Sequence, residues 1–252
     1  MASADSPPPA LGLRHPVVTF IGDVHGWDER LVRVLAQAEG FLVFLGDLID
    51  RGPQAPAVID RVRELCRAGR AACVFGNHEY ALVRGLGVPE LGIPADQDMF
   101  LAWAQRYGGR AVLAAYGVEG DDAAALRERL GDRLAWLATL PWMLSGSAGD
   151  RHWLAVHAGL GSGLIADQLP ALEQGLERMR VHGDDLPAEL YAKNRAFQVP
   201  VDCPGELCIV SGHTPIPEAH VSPRRILCDT SGGMRGRKLS AVIWPAGRVI
   251  TS

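Results

Sequence analysis

The chain has 252 residues, 48% hydrophobic and 21% charged, with a net charge of −4. That is enough apolar material for one large α/β core, and without a basic excess nucleic acid is not expected as a partner. The longest apolar runs are strand-sized, far short of the roughly 20 residues a bilayer span needs, so no membrane partner is expected either.

Residues 1–16 carry Pro7-Pro8-Pro9 but neither a basic start nor an apolar stretch, which reads as a disordered lead-in and not a secretory signal. A single domain is expected over 17–252. The five cysteines (Cys66, Cys73, Cys203, Cys208, Cys228) form no CxxC pair. They read as reduced core thiols in a cytoplasmic protein, and a cysteine zinc site is not expected.

The apolar run at 17–21 is a first strand, broken by Gly22-Asp23-Val24-His25-Gly26. Leu31, Val34, Leu35 and Ala38 then recur at helical spacing until Gly40. A second strand at 41–45 runs into Gly46-Asp47-Leu48-Ile49-Asp50-Arg51-Gly52, and Val58, Ile59, Val62 and Leu65 mark a helix over 56–68. A third strand at 71–75 ends in Gly76-Asn77-His78-Glu79. This βαβαβ order predicts a parallel sheet with right-handed crossovers. Functional groups gather at the carboxyl ends of such strands, where all three polar clusters fall.

The stretch 77–141 is rich in Ala, Leu and charge, with helical patches at 97–107 and 122–138, and reads as an excursion covering one edge of the sheet. Short strands follow at 142–144 and 152–156, the latter leading into His157-Ala158-Gly159. A helix is expected over 169–181, then a strand at 207–210 before Ser211-Gly212-His213-Thr214-Pro215. Segments 224–228, 239–244 and 248–251 read as a β-meander. The fold class that results is α/β: a two-sheet β-sandwich flanked by helices, with a second, mixed sheet packed on the first.

Asp23, His25, Asp47, Asn77, His157 and His213 thus stand at five strand ends. Carboxylate oxygen with imidazole nitrogen suits divalent Mn, Fe, Zn or Co and does not select soft metals. The set is too large for one tetrahedral ion. It fits two ions about 3.5–4 Å apart that share a carboxylate. A single Asp or His after a strand is usually a cap or turn residue; five such junctions on one sheet edge are not.

These motifs resemble the calcineurin-like metallophosphoesterases, in particular the phosphoprotein phosphatase branch and its bacterial serine/threonine phosphatase-like members. The resemblance runs from about residue 17 to the end. It implies a β-sandwich with two divalent ions, Mn2+ favoured and Fe, Zn, Co or Ni also compatible. Asp23, His25 and Asp47 would hold the first ion; Asp47, Asn77, His157 and His213 would hold the second. The segments 100–109 and 229–232 also resemble bacterial members.

At the matched positions, a metal-bridging hydroxide would attack phosphorus in line. His78 is the candidate proton donor to the leaving oxygen, oriented by Asp50, and Arg51 the candidate phosphate clamp. Glu79 reads as a loop-stabilising acceptor. The family carries a second phosphate-binding arginine between the late histidines. Here its Trp-containing motif is missing; Arg180 fits by distance from His157 and Arg195, after Asn194, is the rival. Arg224, Arg225, Arg235, Arg237 and Lys238 read as a solvated basic face.

The expected activity is metal-dependent hydrolysis of phosphate monoesters, with phosphoserine or phosphothreonine in proteins as the first choice of substrate. The alternative is a small phosphorylated metabolite such as diadenosine tetraphosphate, against which the presence of Asp50 weighs slightly. A non-catalytic phosphate-binding scaffold ranks last.

Overall fold

The computed structural model describes residues 12–181 and 186–252. Two sheets face each other. In the first, β2 (Val18–Ile21), β3 (Phe41–Phe44) and β4 (Ala71–Cys73) are parallel, with Val18 opposite Phe41 and Leu42 opposite Ala71. Helices α1 (Asp28–Leu35) and α2 (Ala55–Arg67) make the crossovers. The second sheet has the order β1-β5-β6-β7-β9-β8: β1 is Gly12–Arg14, β5 Met143–Ala148, β6 Arg151–Val156, β7 Leu207–Ser211, β8 His220–Val221 and β9 Arg225–Leu227.

Alternation along the strands divides the apolar residues between two cores. Phe20, Val43 and Val74 meet Leu144, Trp153 and Val210 between the sheets, and Phe20 packs edge-on against Trp153 with ring centroids 5.3 Å apart. Ile21, Leu42, Phe44 and Cys73 face the other way, into the core shared with α1, α2 and the helices of the excursion. Those helices are α3 (Asn77–Leu86), α4 (Gln97–Ala102), α5 (Arg110–Ala115), α6 (Ala123–Leu130) and α7 (Asp132–Ala138).

Three expectations need correction. The C-terminal meander is split between the sheets: β9 pairs in parallel with β7, whereas β10 (Ser240–Trp244) crosses to pair antiparallel with β2 and carries β11 (Arg248–Thr251). Both partners bury their strands on two faces, so the apolar pattern alone does not choose between them. The lead-in ends earlier than residue 16, because Gly12–Arg14 forms an edge strand parallel to β5 and His15 stacks on Phe41 at 4.1 Å. The polyproline run lies outside the described residues. The expected helix over 169–181 is two helices, α8 (Ile165–Glu173) and α9 (Gly175–Arg180). All five cysteines are free. Among the described residues, no helix is long and apolar enough to cross a membrane.

Candidate metal centre

The six sequence-picked ligands converge at the carboxyl ends of β2, β3, β4, β6 and β7. The backbone there is unusual. Among the described residues, the non-glycine residues with positive φ are His25 (49°), Asp47 (51°), Asp50 (71°), Arg51 (65°) and His213 (65°). Each costs roughly 1–2 kcal/mol, and such outliers persist where surrounding structure over-determines them. Cross-loop bonds do so here: His25 N–H donates to the Asp47 carbonyl at 2.9 Å and Gly26 N–H to the Leu48 carbonyl at 2.8 Å. The Glu79 carboxylate takes the N–H groups of Asp47, Leu48 and Gly76 at 2.8, 2.8 and 3.1 Å. Glu79 is therefore the loop-stabilising acceptor the sequence suggested.

Asp47 is the hub. Its Oδ1 lies 3.3 Å from His157 Nε2, and its Oδ2 lies 3.7 Å from both His25 Nε2 and His78 Nε2. His213 Nδ1 is 3.2 Å from His157 Nε2, and Asn77 Oδ1 is 3.0 Å from the same nitrogen. Two compact ligand groups result, His25/Asp47/His78 and Asp47/His157/His213, with Asp47 in both. Backbone carbonyls set the histidine tautomers. His25 Nδ1–H donates to Ile49, His157 Nδ1–H to Leu45 and His213 Nε2–H to Tyr191, at 2.9, 2.6 and 2.8 Å. Each ring thus turns its other nitrogen to the shared space, an arrangement typical of metal-ligating histidines.

Charge balance points the same way. Burial works against ionising Asp47, but the His157, His78 and His25 imidazoles outweigh it and hold its carboxyl well below the usual range. Burial would lower the pKa of His157, yet Asp47 and Asp23 push it up to about 10. Burial and then Asp229 raise Asp23 well above normal. Burial, with Asp47 contributing, lifts Asp229 to about 6. Asp229 Oδ2 is buried without a hydrogen-bond partner. Three buried carboxylates around three imidazoles make a pocket that calls for positive charge. The oxygen and nitrogen donors here fit divalent cations.

A family model described as calcineurin-like phosphoesterase matches residues 16–233. The chain belongs to that family. Among curated relatives, symmetrical bis(5′-nucleosyl)-tetraphosphatase of Cronobacter sakazakii is 27% identical, covering 92% of this chain and 92% of the relative. The Klebsiella pneumoniae enzyme of the same name is 26% identical over 89% and 90%. A shorter match to the Ralstonia nicotianae enzyme reaches 41% identity, over 29% of this chain and 26% of the relative. Among solved structures, a proposed diadenosine tetraphosphatase superposes with a TM-score of 0.57 at 20% identity, covering 97% and 95% of the two chains. A Saccharomyces cerevisiae protein serine/threonine phosphatase superposes at 0.55 with 13% identity, over 94% and 78%. These structural likenesses carry the fold, whose two helix-flanked sheets agree with the expected class.

The remaining picks of this phosphoesterase fall into two sets. His78, at the start of α3 and not in a loop, directs Nδ1 to Asp50 Oδ2 at 2.6 Å. Arg51 Nη1 lies 2.9 Å from His25 Nε2 and donates to the Gly232 carbonyl at 2.6 Å; its Nη2 lies 3.1 Å from His78 Nε2. Asp23 takes the His213 N–H at 3.0 and 3.1 Å. All these belong to one site.

Arg180 does not join them. It donates to the Leu91 carbonyl at 2.8 Å and pairs with Glu177. Arg195 instead lies against the loop that follows His157, bonded to Glu189 at 2.6 Å and Gln168 at 2.9 Å. The Glu189 carbonyl takes the Ala158 N–H at 2.9 Å. Of the two candidates, Arg195 is the one whose partner Glu189 also bonds the backbone beside His157.

Other corrections concern residues outside the metal set. Arg225 is buried, bonded to Ser211 Oγ at 2.6 Å, so it does not belong to a solvated basic face; Arg235, Arg237 and Lys238 do lie exposed. Sequence reasoning assigned no role to Trp103, whose indole N–H donates to both Asp50 oxygens at 3.0 and 2.9 Å. Its resemblance to bacterial members was the one available signal. The carbonyls of Ile49, Leu45 and Tyr191 have no sequence signature at all.

Proposed function

We propose that this phosphoesterase hydrolyses dinucleoside polyphosphates, small phosphoric anhydrides, using two divalent cations. The reaction class is carried by one observation: two ligand groups that share Asp47. The substrate class is supported by relatives named bis(5′-nucleosyl)-tetraphosphatase, alike over about nine-tenths of both chains. That likeness outweighs the weak objection from Asp50 and moves the dinucleotide ahead of the phosphoprotein.

In this proposal Asp23, His25 and Asp47 hold one cation, and Asp47, Asn77, His157 and His213 the other, with Mn2+ the first candidate. Bound there, the two cations would acidify a water and neutralise charge on the phosphoryl oxygens. The chain's own residues do the rest. Arg51 clamps the phosphate oxygens. Arg195 approaches from the His157 side. Water adds to phosphorus, the bond to the leaving oxygen breaks, and His78 supplies a proton to that oxygen from Nε2. His78 also belongs to one ligand group, but its Nδ1 is committed to Asp50 and its Nε2 faces Arg51, which suits proton transfer to a clamped phosphate.

A second reading, phosphomonoester hydrolysis on phosphoserine or phosphothreonine, is favoured by the 2.6 Å Asp50–His78 contact. An alkoxide needs the proton more than a nucleotide phosphate does. A Mn-supplemented competition among diadenosine tetraphosphate, a phosphoserine peptide and a phosphotyrosine peptide separates them. The dinucleotide is expected to be cleaved fastest, to two molecules of ADP. Faster release of phosphate from either peptide would overturn the assignment.

A further inference from the structure

Beyond α3, whose first turn carries Asn77 and His78, the helical excursion touches the site again after α4. After α4 the chain makes a π-helical turn, Trp103–Tyr107, a rare widened turn frequent at functional sites. Three contacts come from this turn and the residue after it. The Trp103 indole N–H donates to both oxygens of Asp50 at 3.0 and 2.9 Å. The Tyr107 ring stands edge-on to the His78 ring, with centroids 5.1 Å apart. The Gly108 carbonyl takes the Arg51 N–H at 3.2 Å. Proton donor, its carboxylate and the phosphate clamp are each touched from one short stretch.

The approach is close enough to restrict the sequence. A Cβ on Gly109 would lie 2.5 Å from the Trp103 ring, and one on Gly108 would lie 2.9 Å from Arg51 Cγ. Trp103 and Asp50 are fully buried. A buried indole N–H usually finds an acceptor, though those of Trp142, Trp153 and Trp244 have none here, and a phenylalanine or leucine would fill much of the same space. The informative feature is therefore where the N–H points: between both oxygens of the carboxylate that holds His78. With both oxygens engaged, the Asp50 carboxylate cannot rotate away from the imidazole.

We propose that Trp103 is a positioning residue for the leaving-group acid. Its N–H fixes Asp50, and Asp50 holds the His78 ring with Nδ1–H on the carboxylate and Nε2 turned to the phosphate side, where Arg51 Nη2 lies at 3.1 Å. This rests on the assignment of His78 as proton donor. The excursion is then part of the catalytic apparatus and not only a cover for the sheet.

Trp103→Phe keeps a ring and removes the N–H. In zinc-loaded protein, the wild-type His78 Nδ1–H is expected as a downfield proton resonance, shifted upfield or lost to exchange in Trp103→Phe, with metal content unchanged. On the substrate selected by the competition above, kcat should fall about tenfold with KM within twofold, the loss of one charge-assisted hydrogen bond. Trp103→His, which returns a ring N–H, should recover part of that loss. In an Asp50→Asn background, Trp103→Phe should add less than twofold. An unmoved resonance with unchanged kcat, or a tenfold loss that multiplies fully with Asp50→Asn, overturns the proposal. So does a wild-type resonance pattern with the proton on Nε2 alone, which decides the matter even if Trp103→Phe folds poorly. If Asp50→Asn and His78→Ala both leave kcat intact, the acid assignment itself fails and takes the role of Trp103 with it.

Discussion

Arg195 offers the sharpest quantitative test of which residues face the substrate. Its guanidinium is about one-fifth exposed and pairs with Glu189, which is 8% exposed. Glu189 in turn supports the backbone of the His157 loop through Ala158. Arg195→Ala therefore has two separable effects. It removes a cation able to bind phosphate oxygens, worth about 1.5–3 kcal/mol for a hydrogen bond to a charged group, or roughly 10- to 150-fold in kcat/KM. It also strands a buried carboxylate, at about 1–3 kcal/mol of stability and roughly 2–12 °C in Tm for a domain this size. Arg195→Ala combined with Glu189→Gln should recover most of the Tm and little of the kcat/KM. Arg180 is the internal control. Its pair with Glu177 is exposed, such pairs contribute about 0–1 kcal/mol, and Arg180→Ala should leave kcat/KM within twofold. The assays are steady-state kinetics at saturating Mn2+ and thermal melts of the four proteins. Substrate binding by Arg195 is refuted if the double variant regains wild-type kcat/KM, or if Arg180→Ala loses more than tenfold while Arg195→Ala does not.

Three further outcomes are expected. His78→Ala should slow alkyl phosphates at least tenfold more than p-nitrophenyl phosphate, because only the alkoxide needs a proton on leaving; equal losses across a leaving-group series would count against the acid role. Asp229→Asn should raise KM severalfold while two metals stay bound, since Asp229 Oδ1 takes the N–H groups of Ser231 and Gly232 and the Gly232 carbonyl holds Arg51; a drop in metal content would refute that separation. EDTA treatment should abolish turnover and Mn2+ should restore it, whereas activity that survives exhaustive chelation would contradict a metal-dependent reaction.

What the sequence disclosed, and what it concealed, follows from how each feature is encoded. The candidate metal ligands were legible because a strand end, a glycine and a ligand residue are all local. Asp23, His25, Asp47 and Asn77 lie at the strand ends of the βαβαβ unit and His157 and His213 after β6 and β7, and four of the five positive-φ residues (His25, Asp47, Asp50, Arg51) fall in the first two loops. Strand existence was also legible, but not partnership. Ile226 and Val242 are equally apolar and equally buried, yet they belong to opposite sheets, because pairing is decided by the turns between them and not by side-chain pattern.

The choice between Arg180 and Arg195, and the contacts of Trp103, were concealed for a related reason. An arginine is recognised as a phosphate ligand by where it points, and the two helices between His157 and Arg195 make chain distance uninformative. Trp103 lies in an amphipathic stretch whose apolar face is ordinary core. Only the structure reveals that its N–H is aimed at Asp50, 53 positions away. The histidine tautomers depend on main-chain carbonyls, which every residue carries.

The sharing of Asp47 between two cations is tested most directly by metal content. Protein purified, loaded with Mn2+, desalted and measured by mass spectrometry should hold two ions per chain. His25→Ala and His213→Ala should each retain one. Asp47→Asn should retain neither, because its side chain is common to both ligand groups. One full equivalent of tightly held metal in Asp47→Asn, or loss of both ions in either single-histidine variant, would contradict the shared centre.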